Sequence, residues 1–150
     1  MTDASGSSSW TYTLRGLLET ETKTIIGAGT FATQYTYNSA DLPTNMQYPA
    51  DNAGNLTALP SLTYTYHPQM ALDTLGSYVT GTTYDAAGRV INRSLGNGTA
   101  ISNTYNLWTI QGGRLSNITS VQSGVTRQNL GYTYDAVGNK IREGDAEGRE

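Results

Sequence analysis

The sequence predicts an all-β protein built as an array of antiparallel β-hairpins. A tyrosine-led turn motif recurs along the chain, and aromatic and threonine side chains alternate between the turns. The chain also contains 11 tyrosines and 17 glycines. Tyrosine and threonine favour the pleated sheet and glycine favours turns, whereas no segment has the spacing of an amphipathic helix.

The repeats are clearest at residues 84–90 and 134–140, where Tyr-Asp-Ala-x-Gly recurs. Looser copies follow Tyr12 and Tyr37, and the copy at Tyr105 reaches its Gly-Arg pair only after an insertion. A turn at residues 51–56 keeps the Asp and Gly but has Ala50 in place of the tyrosine. Irregular spacings of roughly 20 to 30 residues are typical of a degenerate array. The predicted motif residues are Tyr12, Gly16, Tyr37, Asn38, Asp51, Gly54, Tyr84, Asp85, Gly88, Arg89, Tyr105, Gly113, Arg114, Tyr134, Asp135 and Gly138.

The motif has a mechanical interpretation as a tight hairpin turn. Asp85 is expected to accept hydrogen bonds from turn amides, and Gly88 to adopt the positive φ that closes a type I turn with a bulge. This register pairs Tyr84 with Val90 on the inner face and Asp85 with Arg89 on the outer face.

The same count predicts three further cross-strand pairs, which are Tyr12 with Leu18, Tyr105 with Leu115, and Tyr134 with Lys140. Lys140 is not aliphatic, so at Tyr134 we expect a cation–π contact or a frayed end of the hairpin.

Strands entering the turns alternate with period two, as half-buried antiparallel strands do. Leu62, Tyr64 and Tyr66 share one parity, with Thr63 and Thr65 on the other. Looser glycine turns lie between the tight ones, at residues 27–29, 96–98 and 123–124.

Composition excludes several function classes. The chain has 150 residues, a net charge of −3 and 14% charged residues, so it has no basic surface for a nucleic-acid partner. Without cysteine and with one histidine it has no disulfide, thiolate metal site or cysteine nucleophile. We therefore expect no catalytic residue, no metal and no cofactor. No apolar run is long enough for a membrane helix, and residues 1–9 have no signal-peptide pattern.

From residue 10 to residue 142, the motif and its flanking Tyr-Thr-Tyr strands resemble the YD or RHS repeat of bacterial rearrangement-hot-spot proteins, toxin-complex shell components and teneurins. The likeness is weak over residues 69–77. It implies a spirally wound antiparallel sheet that forms a hollow shell and encloses a toxic cargo in bacterial members, with a secreted or cell-surface location. The Asp-Pro-x-Gly and Gly-Arg-Phe elements that precede self-cleavage in complete members do not occur here, so no catalytic residue is carried over.

The sequence predicts three segments, which are a flexible start over residues 1–9, the repeats over residues 10–142 and a flexible charged tail over residues 143–150. The predicted role is that of a non-catalytic wall segment or scaffold whose partners are neighbouring repeats, further copies of the chain or an enclosed toxin. Two alternatives stay open. The tyrosine-rich face could bind cell-surface carbohydrate, or open strand edges could pair copies into a fibre or ring.

Two short motifs have plainer interpretations. Asp73-Thr74-Leu75-Gly76 is similar to an aspartic-protease signature, but leucine interrupts it and no second copy exists, so we expect a loop. Residues 51–55 are rich in oxygen ligands, yet they lack the alternating pattern of a calcium loop. We expect an Asx turn there.

Overall fold

A computed structural model of the chain describes residues 1–145, without the side chains of residues 57–60. The described residues form thirteen β-strands and one short helix. The bounds are β1 (Thr2–Asp3), β2 (Gly6–Tyr12), β3 (Leu18–Ile25), β4 (Gly29–Tyr37), β5 (Pro43–Pro49), β6 (Leu56–Tyr66), β7 (Leu72–Leu75), β8 (Val79–Tyr84), β9 (Val90–Leu95), β10 (Thr99–Tyr105), α1 (Trp108–Gln111), β11 (Leu115–Gln122), β12 (Val125–Tyr134) and β13 (Lys140–Asp145).

The strands fall into two compact units. Unit 1, Met1–Gly76, contains β1 to β7, and each of these strands pairs antiparallel with the next in chain order. Unit 2, Ser77–Glu150, contains β8 to β13 with the same nearest-neighbour order. The predicted antiparallel hairpin array is confirmed in both units.

The predicted cross-strand register is also confirmed. Tyr84 lies opposite Val90. The register shifts between Thr83 and Tyr84, where two residues on β9 oppose one on β8 and form a β-bulge. Equivalent pairs with the same bulge are Tyr12 with Leu18, Tyr105 with Leu115 and Tyr134 with Lys140.

Tight turns and looser turns alternate along each unit, so the tight turns of a unit lie at one end of its strands. We call this end the turn edge of that unit. In unit 1 it contains residues 13–17, 38–42 and 67–71, and in unit 2 residues 85–89, 106–114 and 135–139.

The core of the described residues is thin. Only Ala32 and Leu62 are buried hydrophobic residues there, with 7% and 8% exposure, and Thr82 is buried at 1%. Strand pairing and side-chain contacts between neighbouring hairpins therefore contribute a larger share of stability than a central core does.

Several details differ from the sequence-based expectations. Strand β2 begins at Gly6, inside the predicted flexible start, and β13 runs beyond residue 142 to Asp145. The rest of the predicted tail, residues 146–150, lies outside the described residues. Leu72–Leu75 is strand β7, so the loop expected around Asp73 is wrong. In the described part of the chain, no helix has the length and apolar character to cross a membrane.

Candidate functional site at the turn edges

The turn at residues 85–89 has the predicted geometry. The Asp85 amide donates to the Arg89 carbonyl at 2.9 Å, and the Gly88 amide donates to the Asp85 carbonyl at 3.0 Å. The Asp85 carboxylate accepts from the amides of Ala87 and Arg89 at 2.9 and 3.0 Å. Gly88 has φ of 77°, in the left-handed region. The assignment of Gly88 to the positive-φ position is confirmed.

A repeat that sequence analysis missed lies at residues 66–72. The His67 amide donates to the Ala71 carbonyl at 2.9 Å, and Met70 occupies the left-handed position with φ of 62°. The motif was hidden because a methionine replaces glycine and His-Pro replaces the aspartate. The spacing from Tyr66 to Leu72 equals that from Tyr84 to Val90, and these two residues pair. This spacing from tyrosine to an aliphatic residue is the sequence feature that could have revealed the repeat.

The turn at residues 51–55 does not belong to the tyrosine-led series. It joins β5 to β6 at the end opposite the turn edge of unit 1. The Asp51 carboxylate accepts from the Ala53 amide at 2.8 Å and from the Asn55 side-chain amide at 2.8 Å, which confirms the expected Asx turn. The Asn52 side chain donates to the Ala28 carbonyl at 3.1 Å, so this turn packs on the looser turn beside it.

Tyrosine hydroxyls link successive hairpins in a regular way. Each donates to the carbonyl of the residue that follows the previous tight turn. That residue is also the cross-strand partner of the previous tyrosine. The donors and acceptors are Tyr37 to Leu18 at 2.7 Å, Tyr66 to Pro43 at 2.7 Å, Tyr105 to Val90 at 2.8 Å and Tyr134 to Leu115 at 2.9 Å. We call these four bonds the tyrosine ladder.

Arginines form a second set of links along the turn edges. Arg15 donates to the carbonyls of Asn38 and Ser39 at 2.8 and 3.1 Å, and forms an ion pair with Asp41 at 2.5 Å. The guanidinium of one turn therefore closes on the next turn. Asp41 has a positive φ of 63°, a conformation that aspartate adopts more readily than most residues.

Arg89 makes the corresponding link in unit 2, which corrects the prediction of an outer-face pair. Its ion pair with Asp85 is present at 2.6 Å, and both side chains are partly buried, at 25% and 22% exposure. The guanidinium lies over the Tyr105 ring at 4.1 Å and donates to the Gly113 carbonyl in the next turn. The pair therefore fastens two hairpins together and is not a solvated surface pair.

The next link, from Arg114, is looser. Its guanidinium lies 5.7 Å from the centre of the Tyr134 ring and close to Gly138, where an added Cβ would lie 2.1 Å from a guanidinium nitrogen. Arg15, Arg89 and Arg114 are called the inter-turn arginines below. Sequence analysis identified Arg89 and Arg114 as motif residues but missed Arg15 and the function of the contact.

The cation–π contact expected at Tyr134 forms elsewhere. Lys140 pairs with Tyr134 in the register, but its ammonium lies over the Tyr132 ring at 5.7 Å and is paired with Glu143. The Tyr134 ring is occupied by Arg114, so the two cations take separate rings.

The insertion at residues 106–114 closes like the shorter turns. The Asn106 amide donates to the Arg114 carbonyl at 2.8 Å, and the Asn106 side chain donates to the Gln111 side-chain oxygen at 2.9 Å. Helix α1 occupies the extra length and is capped by Gly112, which has φ of 59°. This helix was not predicted, because four residues are too few for a periodic pattern.

Hydrogen bonds depress the pKa of the turn aspartates. The side-chain bond from Arg89, followed by turn amides, lowers the pKa of Asp85, and the side-chain bond from Asn139 lowers that of Asp135. The Asn55 side chain lowers the pKa of Asp51 in the same way. These carboxylates therefore stay ionised in the fold and hold their turns as charged acceptors.

Together these contacts define the class of protein. It is a hairpin array in which side chains of one repeat bind the backbone of the next. No protein-family model matches the chain, and no curated protein matches it either.

Solved structures that match the chain include components of Tc toxins, and this likeness supports an RHS-like fold. The chain superimposes on the crystal structure of TcdB2-TccC3-Cdc42 with a TM-score of 0.73 at 18% identity, over 94% of this chain and 8% of that one. It matches the Tc holotoxin pore of Photorhabdus luminescens, with a mutation in TccC3, with a TM-score of 0.72 at 20% identity, over 95% of this chain and 8% of that one. The chain thus spans less than a tenth of the chains it matches.

Proposed function

We propose that the chain is a non-catalytic wall segment of an RHS-type hairpin shell that encloses or scaffolds a toxin or another secreted cargo. The tyrosine ladder carries this proposal. Within each unit, tyrosine hydroxyls join one hairpin to the next through a backbone carbonyl, a geometry that can continue from repeat to repeat without a central core. Such an arrangement suits the wall of a shell, because the links run along the sheet and one face of the sheet can border an internal cavity.

Two further observations support the proposal. The two structures described above are of Tc toxin components, and the matched region is a small part of much longer chains. In addition, the inter-turn arginines link one tight turn to the next within each unit. A secreted or cell-surface bacterial location is part of the proposal.

Protease protection in the producing cells tests this function. An antibody against the chain would recover the native gene product, which is then treated with a protease in increasing urea. We expect a second polypeptide segment to be protected until the hairpin array unfolds, and to be cleaved at the same urea concentration. If every segment outside the hairpin array is cleaved while the array is still folded, nothing is enclosed and the proposal is wrong.

The two alternative functions have their own tests. Carbohydrate recognition requires glycan-array binding that is lost in Tyr64→Ala or Tyr132→Ala. Pairing of copies through strand edges requires a mass that rises with concentration in light scattering. Neither alternative requires a protected polypeptide.

A further inference from the structure

The looser turn at residues 96–98 contains the one Asn-Gly pair of the sequence, Asn97-Gly98. Gly96, Asn97 and Gly98 are all exposed in the structure. A Cβ added at Gly98 would meet no other part of the described chain within 4 Å. The peptide bond between Asn97 and Gly98 is therefore uncrowded and open to water.

The Asn97 side chain lies over that peptide bond. Its oxygen Oδ1 accepts a hydrogen bond from the Thr99 amide at 3.0 Å. Because the ring closed by this hydrogen bond includes the Gly98 nitrogen, the carboxamide carbon Cγ of Asn97 is held beside that nitrogen. The Thr99 amide also donates to the oxygen on which negative charge develops when a nucleophile attacks Cγ, as the donors of an oxyanion hole do.

We propose that Asn97 is a self-modification site, which the chain converts to aspartate and isoaspartate without an enzyme. The Gly98 nitrogen gives up its proton to water and attacks Cγ of Asn97, which forms a new N–Cγ bond. The Cγ–Nδ2 bond then breaks, and the side-chain nitrogen takes a proton from water and leaves as ammonia. The result is a cyclic imide, formed within the chain because the two reacting groups are held together.

Water completes the reaction by opening the imide at either of its two carbonyl groups. Opening at one carbonyl leaves an ordinary aspartate, and opening at the other leaves isoaspartate, whose main chain runs through the former side chain. One water is consumed and one ammonia is released, and no oxidant or reductant takes part. Each converted chain gains one negative charge at the turn. The inference does not depend on the proposed shell.

One hydrogen bond opposes the reaction. The Gly98 amide donates to the Leu95 carbonyl at 3.0 Å, and this bond has to open before the nitrogen can attack. A single bond in an exposed turn contributes little stability and opens far faster than the imide forms. It therefore slows the reaction by about tenfold at most.

Asn38 provides a reference site in the same molecule. Its Oδ1 makes the same kind of bond, accepting from the amides of Ala40 and Leu42 at 2.9 and 3.0 Å. The residue that follows it is Ser39, whose side chain crowds the attacking nitrogen, whereas Gly98 has no side chain. We therefore expect Asn38 to react much more slowly.

The two products differ in their effect on the fold. Aspartate keeps the bond from the Thr99 amide, as Asp85 and Asp51 accept from the amides two residues ahead of them. Isoaspartate adds a main-chain atom to the turn and displaces the Asn97 carbonyl, which accepts from the Gln122 side chain at 3.1 Å. This bond joins the turn at residues 96–98 to the end of β11, so isoaspartate weakens a link between neighbouring hairpins.

Peptide mapping by mass spectrometry of the full chain, kept at neutral pH, tests the proposal. We expect residue 97 to gain about one dalton at a rate about tenfold or more above that of residue 38. The rate at residue 97 should lie within about tenfold of the rate in a free peptide of residues 93–101. Methyl transfer by an isoaspartyl methyltransferase should report the isoaspartate fraction, and ammonia should be released in step with conversion.

Two variants give the controls, and circular dichroism checks that both fold. Asn97→Gln should stay unconverted over the same period, because its longer side chain must close a larger ring. Asn97→Asp carries the product charge from the start, and it should be at least as stable in urea as the parent. Aged parent chains that contain isoaspartate should be less stable.

Equal rates at residues 97 and 38 would overturn the proposal. Conversion of the free peptide while the folded chain stays unconverted would overturn it as well, because the turn would then protect Asn97.

Discussion

At the scale of single residues, the backbone angle at the fourth turn position decides which amino acids fit. Gly88 has φ of 77°, and an added Cβ would meet no atom within 4 Å. A side chain at this position therefore destabilises the fold through backbone strain, because it would make no steric clash.

Gly88→Val should lower the free energy of unfolding by about 1 to 3 kcal/mol, because a β-branched residue reaches this φ only with strain. Gly81→Ala is the matched control, since Gly81 also has open space around it but no positive φ, and it should be neutral or slightly stabilising. Urea denaturation measures both. Equal stability of the Gly88→Val variant and the parent would contradict the turn assignment.

Met70 gives the reverse prediction. It occupies the same turn position with φ of 62° and a side chain that is 61% exposed. Met70→Gly should raise the free energy of unfolding by up to about 1 kcal/mol, because relief of left-handed strain exceeds the added freedom of the unfolded chain. A thermal melt measures it, and a lower melting temperature would show that the methionine side chain contributes contacts that outweigh the strain.

Asp85 gives a pH-dependent prediction. Its pKa is depressed in the fold by Arg89, so its charge stabilises the protein above the unfolded pKa of about 3.9 and this contribution is lost as pH falls through the folded value. Asp85→Asn keeps an oxygen acceptor without the charge. The variant should be less stable than the parent near neutral pH, and the difference should vanish in acid. Denaturation at a series of pH values would contradict this if the difference stayed constant.

Sequence reasoning identified Gly88, Asp85 and Gly138 correctly because each is the residue type that its turn position favours. It missed Met70, since a left-handed methionine is held by the surrounding turn and has no local signature. It also placed Arg89 outside, because the direction of a long side chain depends on the next hairpin, which pairwise register does not describe.

At the scale of strands and turns, the tyrosine ladder is the feature that joins one hairpin to the next. Sequence analysis predicted the strands, their register and an inner-face role for the tyrosines. The hydrogen bonds of the tyrosine hydroxyls could not be predicted from the sequence. They join residues 15 to 23 positions apart and depend on how neighbouring hairpins stack.

Tyr134→Phe tests the ladder. It removes the bond from the hydroxyl to the Leu115 carbonyl and should lower the free energy of unfolding by about 0.5 to 1.5 kcal/mol. Tyr132→Phe is the matched control, because Tyr132 lies on the same strand and its hydroxyl makes no hydrogen bond within the described residues, so it should be neutral. Hydrogen exchange at the amides of β11 should rise only in the first variant. Equal effects of the two substitutions would show that the ladder contributes nothing.

At the scale of the whole molecule, the thin core and the links between repeats both indicate that the hairpins are stabilised by their neighbours. With Ala32 and Leu62 as the buried hydrophobic residues of the described chain, each hairpin depends on its neighbours. Composition predicted this type of protein through its tyrosine, threonine and glycine content. Composition could not predict the insertion with helix α1, because an insertion interrupts the repeat and leaves no pattern to extend.

Electron microscopy of the native gene product, recovered from its producing cells, tests whether the hairpins belong to a hollow shell. We expect a closed wall of paired strands around an internal volume that contains additional density, with this chain's hairpins forming part of the wall. A solid particle without an internal volume, or hairpins displayed as a separate module on the outside, would contradict the proposed function.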